Sequence, residues 1–293
     1  MLDIYLHDIM LSKIVVRCNT YMHNDVRSPV VAGKFYPGTK EALHKTIESM
    51  VGVLPGKDDV IGLISPHAGY QYSGSVAGAV LSSVKSKPVY IIIGPNHTGL
   101  GAAFSLSKAL SWRTPLGDVN VDEGLRGAII RRSSIIEGDD AAHMAEHSIE
   151  VQLPILQVLQ KDFTFVPIIV ASDDLRSYRM AGKDIACAIK DLGMEKKVVI
   201  IASSDMTHYE TDESARVKDK AAIEAILELD EEKLYKRVRQ MDISMCGYGP
   251  TAIMISASKL LGAKSARLIK YETSADASGD YSSVVGYAGI TVS

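Results

Sequence analysis

Three continuous hydrophobic runs dominate the chain, at residues 60–65, 89–93 and 198–202. Runs of β-branched residues of this length, without polar alternation, are typical of strands that are buried on both faces. Each run is followed by a polar segment with one histidine, and these are His67, His97 and His208. Because ligands bind beyond the carboxyl ends of the strands in open α/β sheets, the pattern predicts that three imidazoles share one crevice.

The rest of the chain alternates segments with helical and strand patterns. Helices are predicted at residues 39–50, 73–84, 122–132, 142–159, 178–192, 212–229, 231–240 and 250–261. Further strands are predicted at residues 104–106, 163–170, 266–271 and 282–292. Thr39 and Asp122 are candidate N-caps, and Pro154 interrupts the fourth helix. This order predicts a single α/β domain with a mostly parallel central sheet and helices on both faces.

The composition is that of an ordinary globular domain. The chain has 293 residues, of which 46% are hydrophobic, and a net charge of −3. It shows no cluster of Lys or Arg, so neither a nucleic acid nor an anionic membrane is expected as a partner. No stretch approaches the roughly 18 apolar residues of a membrane span. Three widely spaced cysteines favour a reducing, cytoplasmic location over a disulfide framework.

The first residues match no helix or strand pattern well. We interpret residues 1–24 as an N-terminal extension of a domain that spans residues 25–293. Met22 is a candidate translation start, and a genuine terminal element is the alternative. The segment lacks the basic start and long apolar core of a signal peptide.

The three histidines after the strands are candidate metal ligands. A lone histidine after a strand is most often a hydrogen-bonded loop residue, but three at equivalent positions favour a shared site. Neutral imidazole is the commonest protein ligand for divalent transition metals. Asp205 and His208, three residues apart, could supply a carboxylate and a proton acceptor.

Cys246 lies just ahead of the helix predicted at residues 250–261. A thiolate at a helix N-terminus is stabilised by the helix dipole, which favours a reactive or metal-binding role. A buried, inert cysteine is the alternative, and it is the usual fate of a lone cysteine.

A rival site is indicated by His143, Glu146 and His147, which match the H-x-x-E-H pattern of some zinc proteases. On a helix, the two histidines would share a face and could bind zinc. A pattern with three fixed positions often arises by chance. A zinc hydrolase centred on these residues is therefore kept as the third hypothesis for function.

Taken together, several motifs resemble the Memo family, whose prokaryotic members are often labelled protein B of the AmmeMemoRadiSam system. The resemblance runs in order from about Arg27 to the C-terminus. Its motifs are V-A-G-K-F-Y-P at residues 31–37, P-H-A-G-Y at 66–70, G-P-N-H at 94–97, W-R-T-P-L-G at 112–117, E-H-S-I-E at 146–150, S-S-D-M-T-H-Y at 203–209 and C-G-Y-G-P at 246–250.

The resemblance implies the fold of the class III extradiol dioxygenases, which use non-haem ferrous iron. It also implies that His67, His97 and Cys246 are the metal ligands and that His208 is the catalytic base, with Asp205 beside it. Those dioxygenases complete their ligand set with a carboxylate. A thiolate is softer, which shifts the preference toward copper(I), zinc or a thiolate-tolerant iron.

We therefore expect one transition metal ion, iron(II) or copper, with zinc as the alternative. The expected function is that of a metal-dependent oxidoreductase of the dioxygenase type that acts on a small-molecule or peptide ligand. A non-catalytic module that binds a peptide or a metal in the same pocket is the second hypothesis. Because the resemblance covers the H-x-x-E-H segment, we expect His147 and Glu150 to lie beside the metal ligands or to face the substrate.

Overall fold

A computed structural model of the protein describes residues 25–52 and 56–293. The predicted N-terminal extension therefore lies outside the described residues. No helix in the part of the chain that the structure describes is long and apolar enough to cross a membrane.

Helices and strands alternate along most of the chain. The strands are β1 (Val26–Arg27), β2 (Gly62–Ser65), β3 (Val89–Pro95), β4 (Phe104–Leu106), β5 (Ser111–Thr114), β6 (Gly117–Asn120), β7 (Glu137–Gly138), β8 (Thr164–Val170), β9 (Val198–Ser203), β10 (His208–Glu210), β11 (Ala266–Thr273) and β12 (Val284–Val292). The α-helices are α1 (Lys40–Met50), α2 (Tyr70–Ser82), α3 (Glu123–Arg132), α4 (Gln152–Leu159), α5 (Leu175–Asp191), α6 (Asp212–Leu227), α7 (Glu231–Gln240), α8 (Tyr248–Leu260) and α9 (Ala275–Ser278).

The centre of the large sheet is formed by the three hydrophobic runs and β8. The strand order is β10-β12-β2-β9-β3-β8-β4-β7. Strand β11 lies outside this order and also pairs with β12. Strands β2, β9, β3 and β8 are parallel to one another, whereas β12 and β4 are antiparallel to their central neighbours. The predicted α/β class and its parallel centre are confirmed, and the complete sheet is mixed.

Alternate residues of the central strands point into two separate hydrophobic layers, as the pleat of a strand requires. Ile91 and Ile93 belong to the layer that packs against α3, α5, α6, α7 and α8. Tyr90 and Ile92 belong to the layer on the opposite face, against α1, α2 and α4. Helices therefore cover both faces, as the continuous hydrophobic runs predicted.

A small second sheet was not predicted. Strand β5 pairs in parallel with β1 and antiparallel with β6. The β5–β6 hairpin has only four residues in each strand, and its buried Trp112 lies beside the exposed Arg113. Such short and partly charged strands carry little periodic signal. This sheet matters for the site because it places Arg27 over the ring of Trp112, 4.2 Å from its centroid.

The helix predicted at residues 142–159 is the main correction to the fold. The structure has a short 3-10 turn at Ala141–His143 and an α-helix only from Gln152. The side chain of Glu146 accepts the backbone N–H groups of His147 and Ser148. These bonds compete with helical ones. Pro154 lies in the first turn of α4, where a missing N–H costs little.

The two candidate N-caps differ, and this gives a test of the fold. Asp122 accepts the N–H of Leu125 and the hydroxyl of Thr164, whereas Thr39 makes no capping hydrogen bond. We expect Asp122→Ala to lower the free energy of unfolding by about 1 kcal/mol or more. The matched variant Thr39→Ala should change it by less than about 0.5 kcal/mol. Urea unfolding measures both, and equal losses would contradict the assignment of the cap.

Candidate metal centre

The carboxyl ends of β2, β3 and β9 meet at one edge of the sheet, where they open into a cavity of about 490 Å³. The chain turns away from the sheet after each strand, which leaves the side chains that follow at the cavity wall. The residues that line the cavity are Phe35, His67, Ala68, Gly69, His97, His147, Asp205, His208, Tyr209, Ser244, Cys246 and Val285. All three histidines that follow the strands thus reach the same crevice.

His67, His97 and Cys246 each bring one potential ligand atom to within 4.8 Å of the others. Sγ of Cys246 lies 3.2 Å from Nε2 of His67. The imidazole rings of His67 and His97 have centroids 5.3 Å apart and meet edge to face. Ligand atoms that bind one ion at about 2.0–2.3 Å are separated by distances of this size.

The orientation of His67 is fixed from behind by Ser203. The hydroxyl of Ser203 donates its single proton to the carbonyl of Ser148 and accepts the amide N–H of Gln152. Toward Nδ1 of His67, 2.9 Å away, the same hydroxyl can only accept. Nδ1 therefore carries the proton, and the lone pair of Nε2 faces Cys246.

The orientation of His97 is fixed by Glu146. Nδ1 of His97 lies 3.0 Å from Oε1 of the carboxylate, which can only accept, so Nδ1 is the protonated nitrogen. The second oxygen accepts the backbone N–H of the same histidine. A carboxylate behind a histidine sets its tautomer and makes its other nitrogen a better metal ligand. Nε2 of His97 is the nitrogen left for a metal.

Glu146 is buried yet charged. Burial alone would raise its pKa, but the hydrogen bonds and charge of His97 and the N–H of Ser148 hold the pKa of Glu146 well below its ordinary value. For His97, burial lowers the pKa, and the bond and charge of Glu146 outweigh this and raise it. The two residues therefore behave as a hydrogen-bonded ion pair whenever His97 is protonated.

Cys246 lies at the start of α8, but the predicted effect of the helix dipole does not dominate there. Burial, with the nearby charge of Asp205, raises the pKa of the Cys246 thiol well above its ordinary value. Its close approach to β9 depends on the next residue. A Cβ on Gly247 would lie 2.5 Å from the carbonyl oxygen of Ser203, so a larger residue would push Cys246 away.

His208 lines the cavity but belongs to neither of the two candidate ligand groups found among the described residues. Its backbone N–H donates to the hydroxyl of Ser244, and its Nδ1 lies 2.9 Å from the carbonyl of the same residue. A carbonyl can only accept, so Nδ1 carries the proton of the neutral ring. The lone pair of Nε2 is left as a proton acceptor.

Asp205 is buried at the floor of the crevice. Its Oδ1 accepts the backbone N–H of His67 at 2.7 Å, which ties the end of β9 to the end of β2. Burial raises the pKa of Asp205, whereas that hydrogen bond and the charge of His208 act to lower it. The expected pairing of Asp205 with His208 is thus electrostatic, and Ser244 provides the hydrogen bonds that orient His208.

His147 and Glu150 occupy different surroundings. The ring of His147 lines the cavity and stacks on His97, with centroids 4.9 Å apart. His147 also forms the second candidate ligand group, with His97 and Glu146. Glu150 is fully buried outside the cavity lining, and its oxygens accept from the side chain of Arg27, the N–H groups of Val30 and Val31, and the hydroxyl of Tyr36. It therefore anchors residues 27–36.

His143 lies apart from both candidate ligand groups. The residue is 1% exposed, its Nε2–H points to the carbonyl of Ser105, and its ring packs edge-on against Trp112. The segment from His143 to His147 is not an α-helix, so the pattern H-x-x-E-H does not place two histidines on one helix face here.

Several residues of the site were not singled out from the sequence. Ser203 appears there only as part of the S-S-D-M-T-H-Y motif, and Glu146 only as part of the H-x-x-E-H and E-H-S-I-E patterns. Ser244, Phe35 and Tyr209 were assigned no role. Serine and phenylalanine are too common for their position in a sequence to indicate such contacts. Four of these five residues nevertheless lie in the motifs that resemble the Memo family, and Ser244 lies outside them.

Comparison with known proteins identifies the family. The model for Memo-like proteins matches residues 27–291, and the chain belongs to the Memo family. A MEMO1 family protein of Methanopyrus kandleri is 45% identical over 278 residues, covering 90% of this chain and 98% of that protein. A MEMO1 family protein of Methanococcoides burtonii is 45% identical over 269 residues, covering 91% of this chain and 100% of the relative.

A solved structure of an uncharacterized protein from Escherichia coli K12 has a similar fold. Its TM-score is 0.52 at 11% sequence identity, and the match covers 79% of this chain and 99% of that one. At this identity the similarity concerns the fold alone.

The burial of His143 predicts a specific acid sensitivity. Burial lowers the pKa of His143 to about 4, whereas an unfolded histidine titrates near pH 6.5. As the pH falls below about 6.5, His143 binds a proton in the unfolded chain but not in the folded protein. The free energy of unfolding therefore decreases. The loss should reach about 2 kcal/mol by pH 5.

Urea unfolding of the metal-stripped protein between pH 7 and pH 5 measures this loss. His143→Gln keeps a side-chain N–H for the carbonyl of Ser105 and removes the titration. The variant should therefore lose about 2 kcal/mol less stability than the original chain over the same pH range. Parallel pH profiles for the two proteins would show that His143 is not the group responsible.

Proposed function

We propose that the protein binds one transition metal ion through Nε2 of His67, Nε2 of His97 and Sγ of Cys246, and that it acts as an oxidoreductase of the dioxygenase type. The observation that supports this most is the convergence of the three ligand atoms within 4.8 Å. Both imidazoles already have their Nδ1 atoms bound to Ser203 and Glu146, which leaves the lone pair of each Nε2 available for a metal.

The donor set fits a transition metal. Two imidazoles and one sulfur suit iron, copper or zinc, whereas magnesium and calcium prefer oxygen ligands. We propose iron(II) or copper as the ion, with zinc as the alternative. Bound iron(II) or copper would supply one-electron chemistry toward dioxygen or a related oxidant, which zinc would not.

His208 is the proposed general base. His208 lines the cavity, and the lone pair of its Nε2 can accept the proton of a substrate hydroxyl while Nδ1–H remains bound to the carbonyl of Ser244. The imidazolium that results would be stabilised by the buried Asp205, whose charge acts on His208. We assign no base role to Glu146, because its depressed pKa and four N–H donors make it a weak proton acceptor.

A zinc hydrolase at the H-x-x-E-H segment is not supported. Such a site needs His143 and His147 on one ion with Glu146 free to activate water. His143 belongs to neither candidate ligand group of the described residues, and Glu146 is held by hydrogen bonds to His97, His147 and Ser148.

The first functional prediction concerns Cys246. A serine hydroxyl is a poor ligand at neutral pH, so Cys246→Ser should lower the metal affinity of the protein by tenfold or more. The matched control is Cys187→Ser, because Cys187 is a free cysteine on α5 that lies outside both ligand groups. Metal content is measured by elemental analysis of protein prepared without oxygen. Full metal content in Cys246→Ser would contradict the proposed ligand set.

The second functional prediction separates the base from the ligands. His208→Ala should keep the metal content of the original chain, whereas His97→Ala should lose metal. If the protein consumes oxygen with a phenolic compound, His208→Ala should slow that consumption by about 10²–10⁴-fold, the range for a lost acid–base group. The exposed His44 on α1 offers a control variant, His44→Ala, that should change neither quantity.

The same measurements test the alternative of a non-catalytic module. In such a module His208→Ala would leave ligand affinity unchanged, and protein loaded with iron(II) under anaerobic conditions would consume no oxygen once oxygen and any of the tested phenols are added. Loss of metal from His208→Ala would instead make His208 a ligand and remove it as the base.

A further inference from the structure

Strand β10 contains an irregularity next to the proposed base. His208 pairs with Val285 on β12, and Glu210 pairs with Val284. Two steps along β10 thus match a single step along β12, which makes Tyr209 the extra residue of a β-bulge. Bulges of this kind often occur beside active sites, where they redirect a side chain.

The bulge brings two neighbouring side chains to the same cavity. In a regular strand, successive residues point to opposite faces of the sheet. Here His208 and Tyr209 both line the cavity, and their ring centroids are 5.8 Å apart.

This arrangement requires an unfavourable backbone. Tyr209 has a φ of 59°, in the left-handed region that a bulky residue rarely adopts. The other non-glycine residues with positive φ in the described chain are Leu229 and Asp242, which follow the ends of α6 and α7, where this conformation is usual. Tyr209 follows no helix, so its conformation needs another cause.

Packing does not supply that cause. Tyr209 is 81% exposed, the most exposed large hydrophobic residue among those described, and no described residue hydrogen-bonds its hydroxyl. A ring that is mostly exposed gains little from burial within the protein, so its burial does not offset the strain of the backbone. Strain of this kind, when it is kept, often belongs to a ligand site.

A second aromatic ring belongs to the same cavity. Phe35 packs on His147 with ring centroids 4.7 Å apart. Aromatic pairs stabilise each other beyond the effect of the area that they bury. The cavity of about 490 Å³ is of a size that takes a small molecule.

We propose that Tyr209 is a ligand-contacting residue, which the bulge in β10 places at the cavity mouth to pack against the flat aromatic ring of a small molecule. The inference rests on the proposed function only in taking this cavity as the ligand site. It adds the class of the ligand and the residue that selects it. A hydroxyl on that ring would face Nε2 of His208.

Binding of two matched probes tests the proposal. Phenol and cyclohexanol carry the same hydroxyl, but only phenol is flat. Nuclear magnetic resonance titration of the full chain, with the metal content of each sample measured, should show tighter binding of phenol. Tyr209→Ala should weaken phenol binding by about 3–10-fold, and Tyr209→Phe should preserve it, since the ring is kept. Tyr281→Ala removes an exposed tyrosine outside the cavity lining and should have no effect.

A stability measurement separates ligand contact from a structural role. Glycine adopts positive φ without strain, so Tyr209→Gly should unfold at the same urea concentration as the original chain or at a higher one. A clear drop would mean that the ring holds β10 in place, and this would overturn the proposal. Equal affinity for phenol and cyclohexanol, absence of saturable phenol binding, or unchanged binding in Tyr209→Ala would overturn it as well.

The outcome is distinguishable from a failure of the proposed metal chemistry. If the protein retains no metal but Tyr209→Ala still weakens phenol binding, the proposed oxidoreductase fails and the ring contact stands. If metal is retained at His67, His97 and Cys246 and the two probes bind alike, the ring contact fails and the metal site stands.

Discussion

The candidate metal centre depends on the hydrogen bonds that the buried carboxylate of Glu146 accepts. The carboxylate accepts N–H groups from the end of β3, through His97, and from its own loop, through His147 and Ser148. A buried charge is tolerable only when such partners replace water. The same bonds therefore keep the loop out of a helix, join it to the sheet and orient His97. Loss of the Glu146 carboxylate would therefore remove four hydrogen bonds that position the ring and the loop.

A second buried charge supports this loop from the other side. Arg27 donates to the carbonyls of His143 and Glu146 and pairs with Glu150, which also holds Val30 and Tyr36. Desolvation offsets much of the attraction in a buried ion pair, so the pair of Arg27 and Glu150 adds little net stability. Its clearer effect is positional. The pair holds residues 27–36 against the loop, and Phe35 in this range lines the cavity.

The sequence predicted the parts of the site that depend on strands and not those that depend on buried partners. Hydrophobic runs fix where a strand ends, and this was enough to bring His67, His97 and His208 to one crevice. The assignment of Cys246 came from the resemblance to a family, because a cysteine before a helix has several ordinary explanations. The loop around Glu146 was predicted as a helix because its apolar residues have helical spacing. That spacing does not indicate that four N–H groups donate to one carboxylate.

Four histidines at or near the site show why residue type and spacing could not assign their roles. The hydroxyl that accepts from Nδ1 of His67 and the carboxylate that accepts from Nδ1 of His97 fix the tautomers of the two rings. In both rings the lone pair of Nε2 is left free. A backbone carbonyl fixes the same tautomer in His208, which lines the cavity but belongs to neither candidate ligand group of the described residues. His143 points its Nε2 at a carbonyl and away from the cavity. The partner of one ring nitrogen decides what the other can do, and in these four histidines that partner lies at least 36 positions away in the sequence.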